Sequence, residues 1–264
     1  MKSLFAKLDG WTIAYVGLMV GLYSKLTYLA AHFMDSVSSP VEHSIFPDFF
    51  ESGSVSLAAY LVPLITPAII FLGRSIATRK IAATILLICT SILLLHIDAY
   101  NDATFTTGVW VSLWLLWAAT PREPKQAIFF GKALIGLFFL GGGVGKLTVE
   151  YWDGSALHDI YFLQKMNFPF PYLRETLSSE TVRSLATGFS RVTVLTELVL
   201  GTIILWPLRP AAAALVFMII GMVFLSQFQL FSVVGPLLFL VFALLKLKSS
   251  EPLGNQTTEG MESA

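Results

Sequence analysis

Hydrophobic positions in this chain come in long unbroken runs, not in the alternation of a half-buried strand or the narrow stripe of a soluble helix. Eight runs approach the ~20 residues a helix needs to cross a bilayer: 11–33, 54–72, 81–97, 103–119, 127–146, 189–206, 211–228 and 230–245. The pattern predicts an all-α, polytopic transmembrane bundle of about eight spans. Pro63 and Pro67 fall inside the second run and Pro236 inside the last, so kinks are expected there. Between the fifth and sixth runs lies a stretch of roughly 40 residues, too long for an ordinary connection. Its aromatics, Trp152, Tyr161, Phe162, Phe168, Phe170 and Tyr172 among them, suit an interfacial lid over 147–188 with one or two short helices. Residues 1–248 thus read as one transmembrane domain, and the polar, aromatic-free stretch 249–264 as a disordered tail.

Composition agrees. Of 264 residues, 55% are hydrophobic and 13% charged, and the mean hydropathy is +0.73; a soluble fold lacks the polar surface to cover that much apolar material. Lys2 and Lys7 precede an apolar run too long for a signal-peptide core, so the first run is expected to stay as an uncleaved span. Lysine and arginine together equal aspartate and glutamate, 17 against 17, which leaves no basic excess for nucleic acid. Their placement is uneven. Lys2, Lys7, Arg74, Arg79, Lys80, Arg122, Lys125, Lys132, Arg209, Lys246 and Lys248 all fall on one side of an eight-span arrangement. The first two loops of the other side carry Asp35, Glu42, Asp48, Glu51, Asp98 and Asp102 without a lysine or arginine. The positive-inside rule then places both termini in the cytoplasm. Cys89, the single cysteine, sits in an apolar run and reads as a packed thiol.

The candidate chemistry lies in the polar groups of the spans. Lys25 and Glu197 interrupt the first and sixth runs, each at a cost of roughly 2.5–3.5 kcal/mol at the bilayer centre, so a partner or a wet cavity is expected for both. At about 1.5 Å per residue they sit at similar depth, near enough to pair. His96, Lys146, Gln227 and Gln229 mark the outer ends of the third, fifth and seventh runs. A closed bundle gathers them into one outer-leaflet pocket, where Lys146 is the candidate base, with His96 and Glu197 as polar partners. Lys25, Trp152, Gln227 and Gln229 are candidate ligand contacts. Lys146 follows Gly141-Gly142-Gly143-Val144-Gly145, in which Gly141 and Gly145 make a small-xxx-small pair expected to admit a close neighbour. His96 with Asp98 and Asp102 matches no metal-ligand spacing, so no metal site is expected. Trp110, Trp114 and Trp117 form one helical stripe, read as packing or interface anchoring.

Phe138-Phe139 through Gly143, Lys146-Leu147, Trp152 and Gly154 resemble the HTTM membrane domain, shared by vitamin K-dependent gamma-carboxylases and many bacterial membrane proteins. Gly73-Arg74, Thr78-Arg79, His96 and Asn101-Asp102 upstream are similar to that family's pattern, as are Thr196-Glu197, Arg209 and 229–232 with Gly235 downstream. The resemblance covers roughly residues 11–245. It implies a bacterial cytoplasmic-membrane protein in which Lys146 matches the amine base that deprotonates vitamin K hydroquinone. Gly145 stands where the carboxylases have a second lysine and Phe224 where they usually have histidine. With no substrate-binding domain after Ala264, a complete gamma-glutamyl carboxylase is not expected. Two functions follow, leaving enzyme status open: a quinol- or lipid-linked enzyme using a lysine base, or a non-enzymatic membrane subunit that grips or helps mature an exported peptide or protein partner.

Overall fold

The computed structural model of the chain describes residues 8–32, 53–73, 75–95, 103–120, 123–159, 170–225 and 230–249. Every regular element among them is helical: α1 (Gly10–His32), α2 (Gly53–Leu61), α3 (Thr66–Leu72), α4 (Ile76–Leu95), α5 (Ala103–Ala118), α6 (Pro124–Gly145), α7 (Val149–Trp152), α8 (Ser155–Leu157), α9 (Phe170–Thr176), α10 (Ser179–Gly201), α11 (Leu208–Leu225) and α12 (Phe231–Ser249). Three of them, α4, α6 and α12, are long and apolar enough to cross a membrane. Phe71, Leu205 and Phe217 are each more than four-fifths exposed. Water would penalise such side chains, and hydrocarbon would not.

The expected kink in the second run is a full break. α2 stops at Leu61, a 3₁₀ turn covers Val62–Ile65, and α3 restarts with Pro67 in its first turn, where a missing N–H costs nothing. Thr66 donates to the Pro63 carbonyl at 2.7 Å and shares a 2.8 Å hydrogen bond with the Tyr15 hydroxyl, so the break is held against α1. α12 runs on across Pro236.

Contacts group the chain into two compact units, Met1–Gly131 with Gly235–Ala264, and Lys132–Val234. In the first, α1 to α5, the start of α6 and most of α12 pack together. Glycines set the closest approaches: a Cβ on Gly17 would lie 2.1 Å from the Phe239 Cβ, and one on Gly10 2.9 Å from the Ala243 carbonyl oxygen. The indole N–H of Trp11 donates to the Leu115 carbonyl at 2.8 Å, and that of fully buried Trp114 to the Ala127 carbonyl at 3.0 Å. These bonds, with the contact of Gly10 on Ala243 and Leu247, bring the starts of α1 and α6 and the ends of α5 and α12 to one end of the unit.

The second unit is built on α10, which begins ten residues before the apolar run that predicted it. Ser178 caps it by accepting from the Thr181 N–H at 3.3 Å, and Glu180 sits in its first turn, favourable against the helix dipole. Its buried positions, Val182, Ala186, Ser190, Val194, Glu197 and Leu200, fall every three or four residues on one face. Polar residues between them hide that stripe from a hydropathy reading. α9 packs on its first half through Phe170, Leu173 and Leu177 against Val182, Leu185 and Ala186. Part of the expected lid is therefore the first half of α10, and 160–169 lies outside the described residues.

A lysine–glutamate pair between α6 and α10

α6 and α10 run antiparallel and meet through residues without side chains. A Cβ on Gly136 would stand 2.9 Å from the Gly201 carbonyl oxygen, one on Gly143 3.0 Å from the Leu198 side chain, and one on Gly201 2.8 Å from the Leu140 Cβ. Gly136 and Gly143 are two helical turns apart and share a face. The close approach expected of Gly141 and Gly145 falls to this pair instead: a Cβ on either of those would meet nothing within 4 Å. Gly141 and Gly145 lie roughly 200° around the helix from Gly143, so the close approach uses a different face and a seven-residue spacing in place of four.

α6 ends where the Lys146 N–H divides between the carbonyls of Gly142 and Gly143, both at 3.2 Å. Side chains on a helix lean back toward its N-terminus, and that of Lys146 runs back to α10. There its ammonium donates to both Glu197 oxygens, at 2.8 Å to Oε1 and 2.7 Å to Oε2. The Glu197 side chain is 4% exposed and that of Lys146 26%, so the carboxylate is enclosed and the lysine side chain only partly so. Gly142 makes room: a Cβ there would come within 3.3 Å of Glu197 Oε2 and 3.6 Å of Lys146 Nζ. The ion pair keeps the carboxylate from being buried without a partner, the costly alternative.

The chain after Lys146 is fastened to the same helix. Thr148 caps α7, and three successive carbonyls at its end each take a donor from α10: Tyr151 from the Ser190 hydroxyl, Trp152 from Arg191 Nε at 3.0 Å, and Asp153 from the Thr187 hydroxyl at 2.6 Å. Gly154 follows with φ +85, in the left-handed region, and a Cβ there would fall 2.4 Å from Thr187 Cα. Both facts restrict the position to glycine. Asp153 is held below the usual carboxylate range because it accepts from the Ser155 backbone and hydroxyl, with Arg183 adding a smaller attraction.

Of the residues expected at the site, Lys146 and Glu197 come together. Trp152 is half-exposed, with the Arg191 guanidinium 5.4 Å above its ring. Lys25 sits on α1 in the first unit, while both Glu197 oxygens are taken by Lys146. His96, Gln227 and Gln229 lie outside the described residues. Thr187, at the edge of the stretch read as a lid, and Ser190 and Arg191, at the start of the sixth run, gave no sequence signal beyond helical spacing of polar residues. Among the described residues, the fold and this pair define a helical protein with helices fit to span a bilayer and an enclosed carboxylate paired between two of its helices. No family model, no curated protein and no solved structure matches it.

Proposed function

We propose that the chain is an integral membrane protein of about eight spans, of the HTTM type, and that Lys146 and Glu197 form the polar wall of a site for a lipid-soluble molecule with an acidic hydroxyl, such as a quinol. The observation that carries this is the pair itself. Glu197 is buried on a stripe otherwise made of Val182, Ala186, Ser190, Val194 and Leu200, while Phe189, Val192, Leu195 and Val199 on the opposite face are exposed. With Phe189 taken as the outer limit of hydrocarbon, Glu197 lies about 12 Å inside it at 1.5 Å per residue. Charges at such depth mark ligand or proton pathways more often than plain scaffolding.

The chemistry open to the pair is limited and specific. Two N–H groups of the Lys146 ammonium point at Glu197, which leaves the third for a ligand oxygen. As an ammonium, Lys146 has no lone pair. Base catalysis requires one proton to pass to Glu197 along an existing hydrogen bond; the neutral amine then takes the ligand's hydroxyl proton, and the oxyanion faces the re-formed ammonium.

The double substitution Lys146→Met with Glu197→Gln removes both charges together and so avoids an orphaned one. Lipid extracts of protein purified in native membrane discs should contain a quinone-like molecule for the wild type and at least about tenfold less for the double variant, at equal yield of folded protein. A folded double variant that keeps the molecule overturns the proposal.

The second reading, a non-enzymatic subunit, draws support from the fastening of α7 to α10, which leaves Val149, Trp152 and Tyr172 exposed on one unit. A stoichiometric protein partner in a quinone-free preparation, lost on Tyr172→Ala, would favour it.

A further inference from the structure

The end of the first unit where α1 and α6 begin and α5 and α12 finish forms a partly open cavity of about 160 Å³. Asp9, Trp11, Arg79, Trp114, Thr120 and Leu247 are among the residues that line it. Arg79 donates from Nη2 to Asp9 Oδ2 at 2.5 Å, and its guanidinium lies 5.0 Å above the Trp11 ring, which stacks in turn on Tyr15. Asp9 Oδ1 meanwhile accepts from the Thr12 N–H at 2.8 Å. Both carboxylate oxygens are thus engaged, whereas among the described residues the Arg79 guanidinium donates only to Asp9. The remaining guanidinium donors lie in a plane fixed by Trp11 and suit an oxyanion. Charge at this end favours the same ligand: Arg79, Lys80, Lys125, Lys246 and Lys248 stand against Asp9 and Glu123 among the described residues.

We infer that this cavity holds the phosphate-bearing headgroup of an anionic phospholipid, with Arg79 as its principal ligand. The volume corresponds to about five water molecules, enough for a headgroup phosphate and too small for an acyl chain. The indole N–H groups of Trp11 and Trp114 are committed to backbone carbonyls, so the two rings contribute apolar walls. The inference rests on the membrane reading above, because a lipid is the source of the phosphate, but it does not involve Lys146 or Glu197.

The test uses full-length protein in vesicles of mixed phosphatidylglycerol and phosphatidylcholine, with native mass spectrometry counting retained lipids. Wild type should retain phosphatidylglycerol preferentially, and Arg79→Gln should lower that preference about fivefold, the value of one interfacial cation. Ala118→Phe, which fills the cavity and leaves the Asp9–Arg79 pair in place, should do the same at unchanged melting temperature. Equal retention by wild type and both variants overturns the inference, as does displacement of the bound species by millimolar inorganic phosphate, which identifies a free-anion site. Membrane fractionation separates the two levels: protein absent from membranes sinks the membrane reading, and membrane-bound protein without headgroup preference sinks this inference alone.

Discussion

Gly154 and Gly141 are the same residue type with opposite sensitivities. Gly154→Ala forces a Cβ into a left-handed backbone and against Thr187 Cα, 2.4 Å away. A loss of about 2 kcal/mol or more in a thermal or denaturant melt is expected. Gly141→Ala enters open space inside a helix and should be neutral or stabilising by up to about 1 kcal/mol. The ion pair is asymmetric in the same way. Lys146→Met strands a 4% exposed carboxylate, whereas Glu197→Gln leaves a lysine whose side chain is already partly exposed. The lysine variant should therefore be the less stable of the two, by about 1–2 kcal/mol, with the double variant recovering most of the loss; equal destabilisation would show that the carboxylate is not enclosed. Lys146 and Glu197 were legible in the sequence because charge in an apolar run is conspicuous. The sequence gathered both into one pocket but offered Lys25 as the ion partner of Glu197, because those two interrupt apolar runs at similar depth, whereas Lys146 stands 51 residues away at a helix end. The donors Thr187, Ser190 and Arg191 were not legible, since a polar side chain that caps a distant carbonyl looks like any solvated one.

At the level of elements, uniform apolar runs were read almost to the residue, as α1 and α5 show. α10 was misread because its cap and first turns carry Ser178, Glu180 and Arg183. Window hydropathy averages over faces; only the spacing of Val182, Ala186, Ser190 and Val194 identifies the helix. α1 carries the pH-sensitive contact. Burial acts to raise the Asp9 pKa, but the hydrogen bonds from Thr12 and the Arg79 guanidinium together outweigh it and hold the group below its ordinary 3.8. A depressed carboxylate pKa stabilises the fold fully above the unfolded value, and that contribution disappears as pH falls through the folded one. Asp9→Asn keeps a capping side chain and loses the ion pair, so it should melt slightly below wild type at neutral pH, by less than about 1 kcal/mol because the pair is partly exposed. The two melting curves should converge once pH drops below the Asp9 pKa. A gap that persists in acid would assign the contact to packing instead of charge.

For the molecule as a whole, the proposed orientation rests on where the cations of the first unit gather. In the first unit the starts of α1, α4 and α6 and the end of α12 lie together, bringing Arg79, Lys80, Lys125, Lys246 and Lys248 to one end. In the proposed arrangement insertion would retain such an end in the cytoplasm, and α6, 22 residues or about 33 Å long, would carry the chain to the outer leaflet before Lys146. Cysteine labelling can test this in intact cells, because Cys89, the single native thiol, is buried and should give little background. A membrane-impermeant maleimide should label Asp153→Cys from outside, as the Asp153 side chain is exposed. Lys248→Cys should react only after the membrane is opened. Labelling of both from outside would require an even number of crossings between them, against the three of the eight-span arrangement. The reverse pattern would invert the protein, place the Arg79 cavity against the outer leaflet, and move the Lys146–Glu197 site to the cytoplasmic side.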